Sequence, residues 1–247
     1  MKTILITGAS RGIGRSAALL AGERGWSVGV NYTQNRSAAD EVVDLVTRSG
    51  GRAVAIQGDV AVEADVVAMF DQVEQALGPL DGVVANAGIV GPPQALADMS
   101  GERMRRMFEV NVLGAYLCAR EAARRLSKGR GGRGGSLVLV SSIAARFGSP
   151  FEYVDYAGSK AAVDTLALGL SKELGAEGVR VNSVRPGVTE TDIHASGGQP
   201  DRAQRVGATT PFGRAGRPEE IAEAIVWLLS DASSYVSGAL LDVSGGR

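Results

Sequence analysis

The chain has 247 residues, 45% hydrophobic and 21% charged, which suits a globular protein with a full core and excludes disorder, a collagen-like repeat and a disulfide scaffold. Its 26 Lys and Arg against 27 Asp and Glu leave a net charge of −1, so no global field draws it to nucleic acid or to an anionic membrane. A single cysteine, Cys118, forms neither an internal bridge nor a cysteine-built metal site. With no signal-like leader and no run of eighteen apolar residues, the expected setting is a reducing, cytoplasmic one.

Short runs rich in Val, Ile and Leu alternate with longer stretches of helical spacing, the pattern of βα units around a buried parallel sheet. Strands are expected near 3–7, 27–31, 53–57, 81–85, 136–141, 179–184 and 239–243, and most of the segments between them are long enough for a crossover helix. No repeat recurs and no Pro- or Ser-rich linker divides the chain, so one domain over 1–247 is expected. Two stretches read as long loops, 128–135 and 189–216.

The first strand runs into Gly8, and Gly12 and Gly14 precede a helical pattern that begins near Ile13. Glycines there let the backbone approach a pyrophosphate at a helix N-terminus, but the GxxxGxG spacing is equally compatible with a plain left-handed turn. Further on, Tyr156 and Lys160 lie one helical turn apart within the helical segment 153–175. They are either a surface pair or an ammonium acting on a phenol, and bringing a tyrosine from ~10 to about 7 requires roughly 4 kcal/mol in favour of the phenolate. Ser142 follows the apolar run Leu137–Val140 at the carboxyl end of a strand, where open α/β sheets bind ligands.

Taken in order, TGASRGIG at 7–14, NAG at 86–88, Asn111 in FEVNVLG, Ser141-Ser142, YAGSK at 156–160 and PG at 186–187 resemble the short-chain dehydrogenase/reductase family over the entire chain. The resemblance implies a Rossmann-like α/β domain, a seven-stranded parallel sheet with helices on both faces. It also implies roles. Tyr156 would be the general acid or base, Lys160 would lower its pKa and bind the nicotinamide ribose, Ser142 would hydrogen-bond the substrate oxygen, and Asn111 would hold a water near Lys160. Ser142 is preferred to Ser141, the second serine of such a pair being the usual catalytic one; its thirteen-residue separation from Tyr156 is one more than is commonest. The cofactor would lie along Gly8, Ser10, Arg11, Gly12, Ile13 and Gly14, then Asn31 and Tyr32, then Asp59 and Val60 at the adenine. Asn86, Ala87 and Gly88 would line its channel, and Tyr156, Lys160, Pro186, Gly187, Thr189 and Thr191 would hold its nicotinamide end.

The second strand ends Asn31-Tyr32-Thr33 without an acid, while Arg11 and Arg36 offer positive charge, so NADP(H) is expected over NAD(H). The substrate expected is a small carbonyl compound or alcohol, with 3-oxoacyl thioesters and sugars or polyols both open. The 189–216 segment, which carries the only histidine, His194, would cover it. Phe147, Phe151 and Tyr153 either line the pocket or pack. The run Arg124, Arg125, Lys128, Arg130 and Arg133 reads as a solvated helix end more readily than as a surface steering an acidic partner. Broad apolar faces on 102–127 and 153–175 predict a homodimer or homotetramer. A lyase of the same family and a non-enzymatic NADP-binding regulator are the alternative readings; intact Gly8, Gly12, Gly14, Ser142, Tyr156 and Lys160 weigh against both.

Overall fold

The computed structural model describes residues 1–247. Seven parallel strands, β1 (Thr3–Ile6), β2 (Ser27–Tyr32), β3 (Arg52–Gln57), β4 (Gly82–Ala85), β5 (Gly135–Val140), β6 (Val179–Pro186) and β7 (Leu240–Val243), pair in the order β3-β2-β1-β4-β5-β6-β7. Each expected strand is present within a residue or two. The order reverses between β1 and β4, which opens a crevice at their carboxyl ends.

Alternation along the central strands explains both layers. In β5, Leu137 and Leu139 join the apolar cluster built with Phe70 and Val73 of α3 (Glu63–Leu77), Leu117 and Ala122 of α5 (Gly114–Leu126) and Val163 of α7 (Val154–Glu173). Val138 and Val140 point the other way, to Ala17 and Ala21 of α1 (Gly12–Glu23), Val42 of α2 (Arg36–Arg48) and Ile225 of α10 (Pro218–Leu229). A strand covered on both faces has no solvent side, so its sequence is continuously apolar.

The segment expected as one helix over 102–127 differs in detail. It comprises α4 (Gly101–Phe108), a π-helical turn over Glu109–Leu113, and α5. The wider turn sends the Asn111 amide off the helix, where its Oδ1 accepts from Ile89 N–H at 2.8 Å and its Nδ2 donates to Ile89 O at 2.9 Å; such bulges persist where a side chain is needed out of helical register. The 128–135 segment holds one 3₁₀ turn, Lys128–Arg130. The 189–216 segment carries α8 (Ile193–Ser196) and α9 (Arg202–Gly207), and is closed at its base by a Thr189–Gly216 bridge. A short α6 (Ala144–Phe147) follows β5. No helix is long and apolar enough to cross a membrane.

The basic run is partly neutralised within the chain. Arg124 and Arg125 both bind the buried Glu121, at 2.8 and 2.9 Å, and Arg133 binds Asp81 at 3.0 Å. That fits the helix-end reading.

At the other end of the sheet, the fully buried Asn182 of β6 donates to Val236 O at 2.9 Å and accepts from Ala239 N–H at 3.0 Å. It thereby aligns the entry to β7, whose Val243 O in turn takes Gly187 N–H at 2.9 Å. Asn182→Val orphans the Ala239 N–H, at about 1–3 kcal/mol, and leaves Val236 O only its 3.4 Å contact with Arg180; a lowered urea midpoint with an unchanged slope checks this.

Candidate functional site

Two adjoining cavities follow the carboxyl edge of the sheet. One, about 240 Å³, is lined by the turn after β1, the end of β2, Asp59 and Val60 after β3, and Asn86–Ile89 after β4. The other, about 340 Å³, is lined by Ser142, Tyr156, Lys160, Pro186, Gly187 and Thr189. Ile13, Asn86, Gly88, Thr191 and Ile193 line both, so the two form one continuous cleft.

Three polar side chains, the buried Thr7 and Asn31 and the partly buried Asn86, shape its first part. Thr7 Oγ1 accepts the N–H groups of Asn86 and Ala87, each at 3.0 Å, and Asn86 Nδ2 donates to Thr7 O at 2.8 Å. Asn31 Oδ1 accepts Gly8 N–H at 3.0 Å while its Nδ2 reaches Gly58 O at 3.0 Å. Asn31 borders the cavity, yet its amide is turned into the protein as a brace. Gly14 borders no cavity: a Cβ there would sit 2.5 Å from Gly8 O and 2.6 Å from Asn86 Nδ2, so its contribution is close packing beneath the turn. The other turn residues, Gly8, Ser10, Arg11, Gly12 and Ile13, face the cleft with Tyr32.

The cleft fits a dinucleotide. Helix α1 begins with no side-chain cap and no acid in its first turn, whereas α2 and α4 are capped by Asn35 and Ser100. Uncapped N–H groups beside a glycine turn receive phosphate oxygens. Arg11 faces this cavity and makes no ion pair, while Arg36 is bound to Asp40 at 3.3 Å and does not line it. Arg106, which the sequence pattern did not single out, lines the same cavity and binds Asp59 at 3.0 Å. Burial opposes ionisation of Asp59, but the Ala61 N–H and Arg106 hold its carboxyl below the usual range.

The second cavity brings together Ser142, Tyr156 and Lys160. Ser142 Oγ accepts Ala144 N–H at 3.2 Å, and Ser142 and Tyr156 line the same cavity. Ser141 is committed elsewhere, donating to Lys160 O at 2.9 Å. Lys160 is 4% exposed and donates to Val140 O at 2.9 Å, with its Nζ 5.7 Å from the Tyr156 ring centre. Burial lowers its ammonium to about 8, against a weaker pull from Asp164. Tyr156 departs from expectation: burial pushes its phenol up, with Ser142 and Arg202 opposing. Lys160, turned onto Val140 O, adds no downward pull in this arrangement. Asn111 stands behind Gly88, where a Cβ would meet both Lys160 Nζ at 3.2 Å and Asn111 Oδ1 at 3.3 Å; it borders neither cavity.

Phe147, Tyr153 and His194 line the second cavity, whereas Phe151 is 84% exposed and does not. His194 Nε2 lies 2.9 Å from Thr189 O, and burial lowers its pKa. Glu152, Arg202 and Arg247 also line this end. No sequence spacing signals them, since Glu152 and Arg202 meet across fifty residues. Beneath Tyr156, Asp155 accepts its backbone N–H at 2.9 Å and is gripped by Arg103 at 2.8 Å.

Because the ammonium of Lys160 is disfavoured by burial, its folded-state pKa lies below its unfolded value. Stability lost to that charge below pH ~8 returns as the pH rises through the interval between about 8 and ~10.4. Without dinucleotide, wild type should therefore gain on Lys160→Met across that interval, read from urea midpoints; a constant difference would refute the lowered pKa.

Comparison with known proteins places the site in a lineage. A family model described as enoyl-(acyl carrier protein) reductase matches residues 8–247. The uncharacterized oxidoreductase YgfF of Escherichia coli (strain K12) is 51% identical over 247 residues, covering 100% of both chains. The L-rhamnose 1-dehydrogenase (NAD(P)(+)) of Sphingomonas sp. (strain SKA58) is 40% identical, over 99% of this chain and 95% of that one. A crystal structure of a short-chain type dehydrogenase/reductase from Mycobacterium marinum superposes with a TM-score of 0.92 at 37% identity, covering 99% of this chain and 94% of that one.

Proposed function

Since this chain belongs to the short-chain dehydrogenase/reductase family, we propose that this oxidoreductase interconverts a carbonyl and a secondary alcohol with NADP(H), and that Tyr156 carries the proton. The observation that carries this reading is the convergence of Ser142, Tyr156 and Lys160 on one cavity continuous with the glycine turn. A bound nicotinamide supplies or accepts the hydride at its C4 position. Tyr156, whose neutral form burial favours, donates to the carbonyl oxygen in reduction, and as the phenolate takes the hydroxyl proton in oxidation. Ser142 orients that oxygen through its hydroxyl. Lys160 holds the ribose end, and with its ammonium near 8 it remains a donor at neutral pH; Asn111, through Ile89 and the Gly88 backbone, keeps the wall beside it in place.

Preference for NADP(H) rests on Arg11, a cation without a carboxylate partner that borders the adenine-side cavity, and on the missing acid at the end of β2. A guanidinium answers a 2′-phosphate with charge and paired donors. The 189–216 segment acts as the cover over the substrate, and one domain serves both cofactor and substrate. Phe108, Leu113, Tyr116 and Leu168 remain 39–47% exposed on α4, the π turn, α5 and α7, which supports a second copy of the chain packing on that face.

A panel of 3-oxoacyl thioesters, sugars, diketones and simple aldehydes, followed by NADPH consumption, tests the reading. Tyr156→Phe should lower turnover by about 10²–10⁴-fold with NADPH binding retained; unchanged turnover in that variant would falsify the assignment. Arg11→Ser should raise the KM for NADPH by roughly tenfold and leave that for NADH nearly unaltered, so equal losses for the two would remove Arg11 as the discriminating group.

A further inference from the structure

The outer wall of the substrate cavity carries a charged pair that takes no direct part in proton or hydride transfer. Arg202 of α9 grips Glu152 with two parallel bonds, Nη1 to Oε1 at 2.9 Å and Nη2 to Oε2 at 2.8 Å. The guanidinium also lies over the Tyr153 ring, 4.8 Å from its centre, and the Tyr153 hydroxyl is hydrogen-bonded by Gln199 from the same covering segment. Glu152, Tyr153 and Arg202 all line the cavity that contains Ser142 and Tyr156. The Arg202 side chain is 13% exposed and that of Glu152 is 36% exposed, so the cation is largely covered while the carboxylate stays open to a ligand.

The chain goes to some length to put Glu152 there. Ser149 and Phe151, both non-glycine, adopt φ of 45° and 62° on either side of Pro150. This turn lies in the span that makes the Ser142–Tyr156 separation one residue longer than is commonest for the family it resembles. Left-handed strain of this kind persists where surrounding structure holds a functional geometry. Gln94 N–H, bonded to Glu152 O at 3.0 Å, anchors the turn to the wall after β4.

We propose that the Glu152–Arg202 pair is the specificity determinant of this site and selects a polyhydroxylated ring, a pyranose or cyclic polyol, by binding vicinal hydroxyls away from the reacting carbon. The proposal rests on the alcohol–carbonyl chemistry assigned to Tyr156. A carboxylate engaged by a guanidinium on one edge keeps lone pairs on the other, and the guanidinium keeps further N–H donors. Acceptors and donors thus stand side by side, which complements neighbouring hydroxyls that each donate and accept. An acyl chain would instead lay methylenes against this pair and leave its hydrogen-bonding capacity unanswered. In the oxidative direction the ring carbon loses hydride to NADP+ and its hydroxyl proton passes to the Tyr156 phenolate and then to solvent, so no other reactant is needed.

The test uses cyclohexanol, cis-1,2-cyclohexanediol and a panel of pyranoses with NADP+, on wild type, Arg202→Met, Arg202→Lys and Glu152→Gln. NADPH titration and urea unfolding verify that each variant is folded, and Glu152→Gln, nearly isosteric, carries the comparison if Arg202→Met is not. In wild type, kcat/KM for the diol and for at least one pyranose should exceed that for cyclohexanol by roughly tenfold or more. In Arg202→Met and Glu152→Gln the diol-to-cyclohexanol ratio should fall toward one, through KM for the diol, with partial recovery in Arg202→Lys. A wild type that does not favour the diol overturns the proposal, as does a parallel loss for both alcohols, which would make the pair only a latch on the covering segment. Where no alcohol turns over, calorimetry of pyranoses on the enzyme–NADP+ complex decides, and absence of binding overturns it. Turnover that survives Tyr156→Phe, with the diol preference intact, would instead overturn the proton-transfer assignment alone.

Discussion

The cleft depends on a polar stitch at the point where the parallel ladder ends. Beyond β1 and β4 the strands diverge, and backbone groups that would otherwise be paired lose their neighbours; a buried orphan there costs as much as a lost hydrogen bond. Thr7, Asn31 and Asn86 fill those vacancies with side chains, tying Gly8 to β2, β2 to the chain after β3, and β4 to β1. The crevice is therefore held open by short amides and a hydroxyl rather than by a rigid apolar wedge. The same arrangement leaves no room for a side chain at Gly14 and keeps the beginning of α1 facing the cleft.

Charge is organised around this crevice with a clear division. Most ion pairs lie on the surface, such as Arg15–Glu41 and Arg24–Glu223, where each contributes at most about 1 kcal/mol. Shielded pairs join Arg125 to Glu121 within α5 and Arg185 of β6 to Asp164 of α7, and two more links lie at the start of α7. Arg103 joins Asp155, Pro92 O and Gln94, linking α4, the wall after β4 and α7, while Arg202 joins Glu152 immediately before α7. Glu152 and Arg202 line the cavity of Ser142 and Tyr156, while the two faces of the sheet rely on apolar packing.

The fold was largely legible because its period is simple: strands buried on both faces are continuously apolar, and the crossovers have helical spacing. Motif order located Ser142, Tyr156 and Lys160 and the residues around the glycine turn, since those residues stand on strand ends and one helix face. What escaped was direction. Nothing in the string distinguishes an Asn31 that faces a ligand from one that braces the turn, or a Lys160 turned onto Val140 O from one pressed against Tyr156. Contacts made across long separations, such as Glu152 with Arg202 or Arg106 with Asp59, leave no periodic trace. Arg36 illustrates the opposite error, a cation in the right neighbourhood that is already engaged by Asp40, four residues on in the same helix.

The broad apolar face over 102–127 has its origin in the π turn. One extra residue in a turn rotates everything after it by about 100°, so Met107 of α4 and the Leu117–Ala122 face of α5 bury different stripes of what looks like a single amphipathic segment. A helix of uniform pitch could satisfy only one of the two. The segment between Phe108 and Gly114 is consequently locked in length: removal of a single residue would restore the ordinary ladder and turn α5 off the sheet, although insertions in the connecting loops would leave the core in register. Part of the molecule's tolerance to change is thus set by a count of residues, independent of their chemistry.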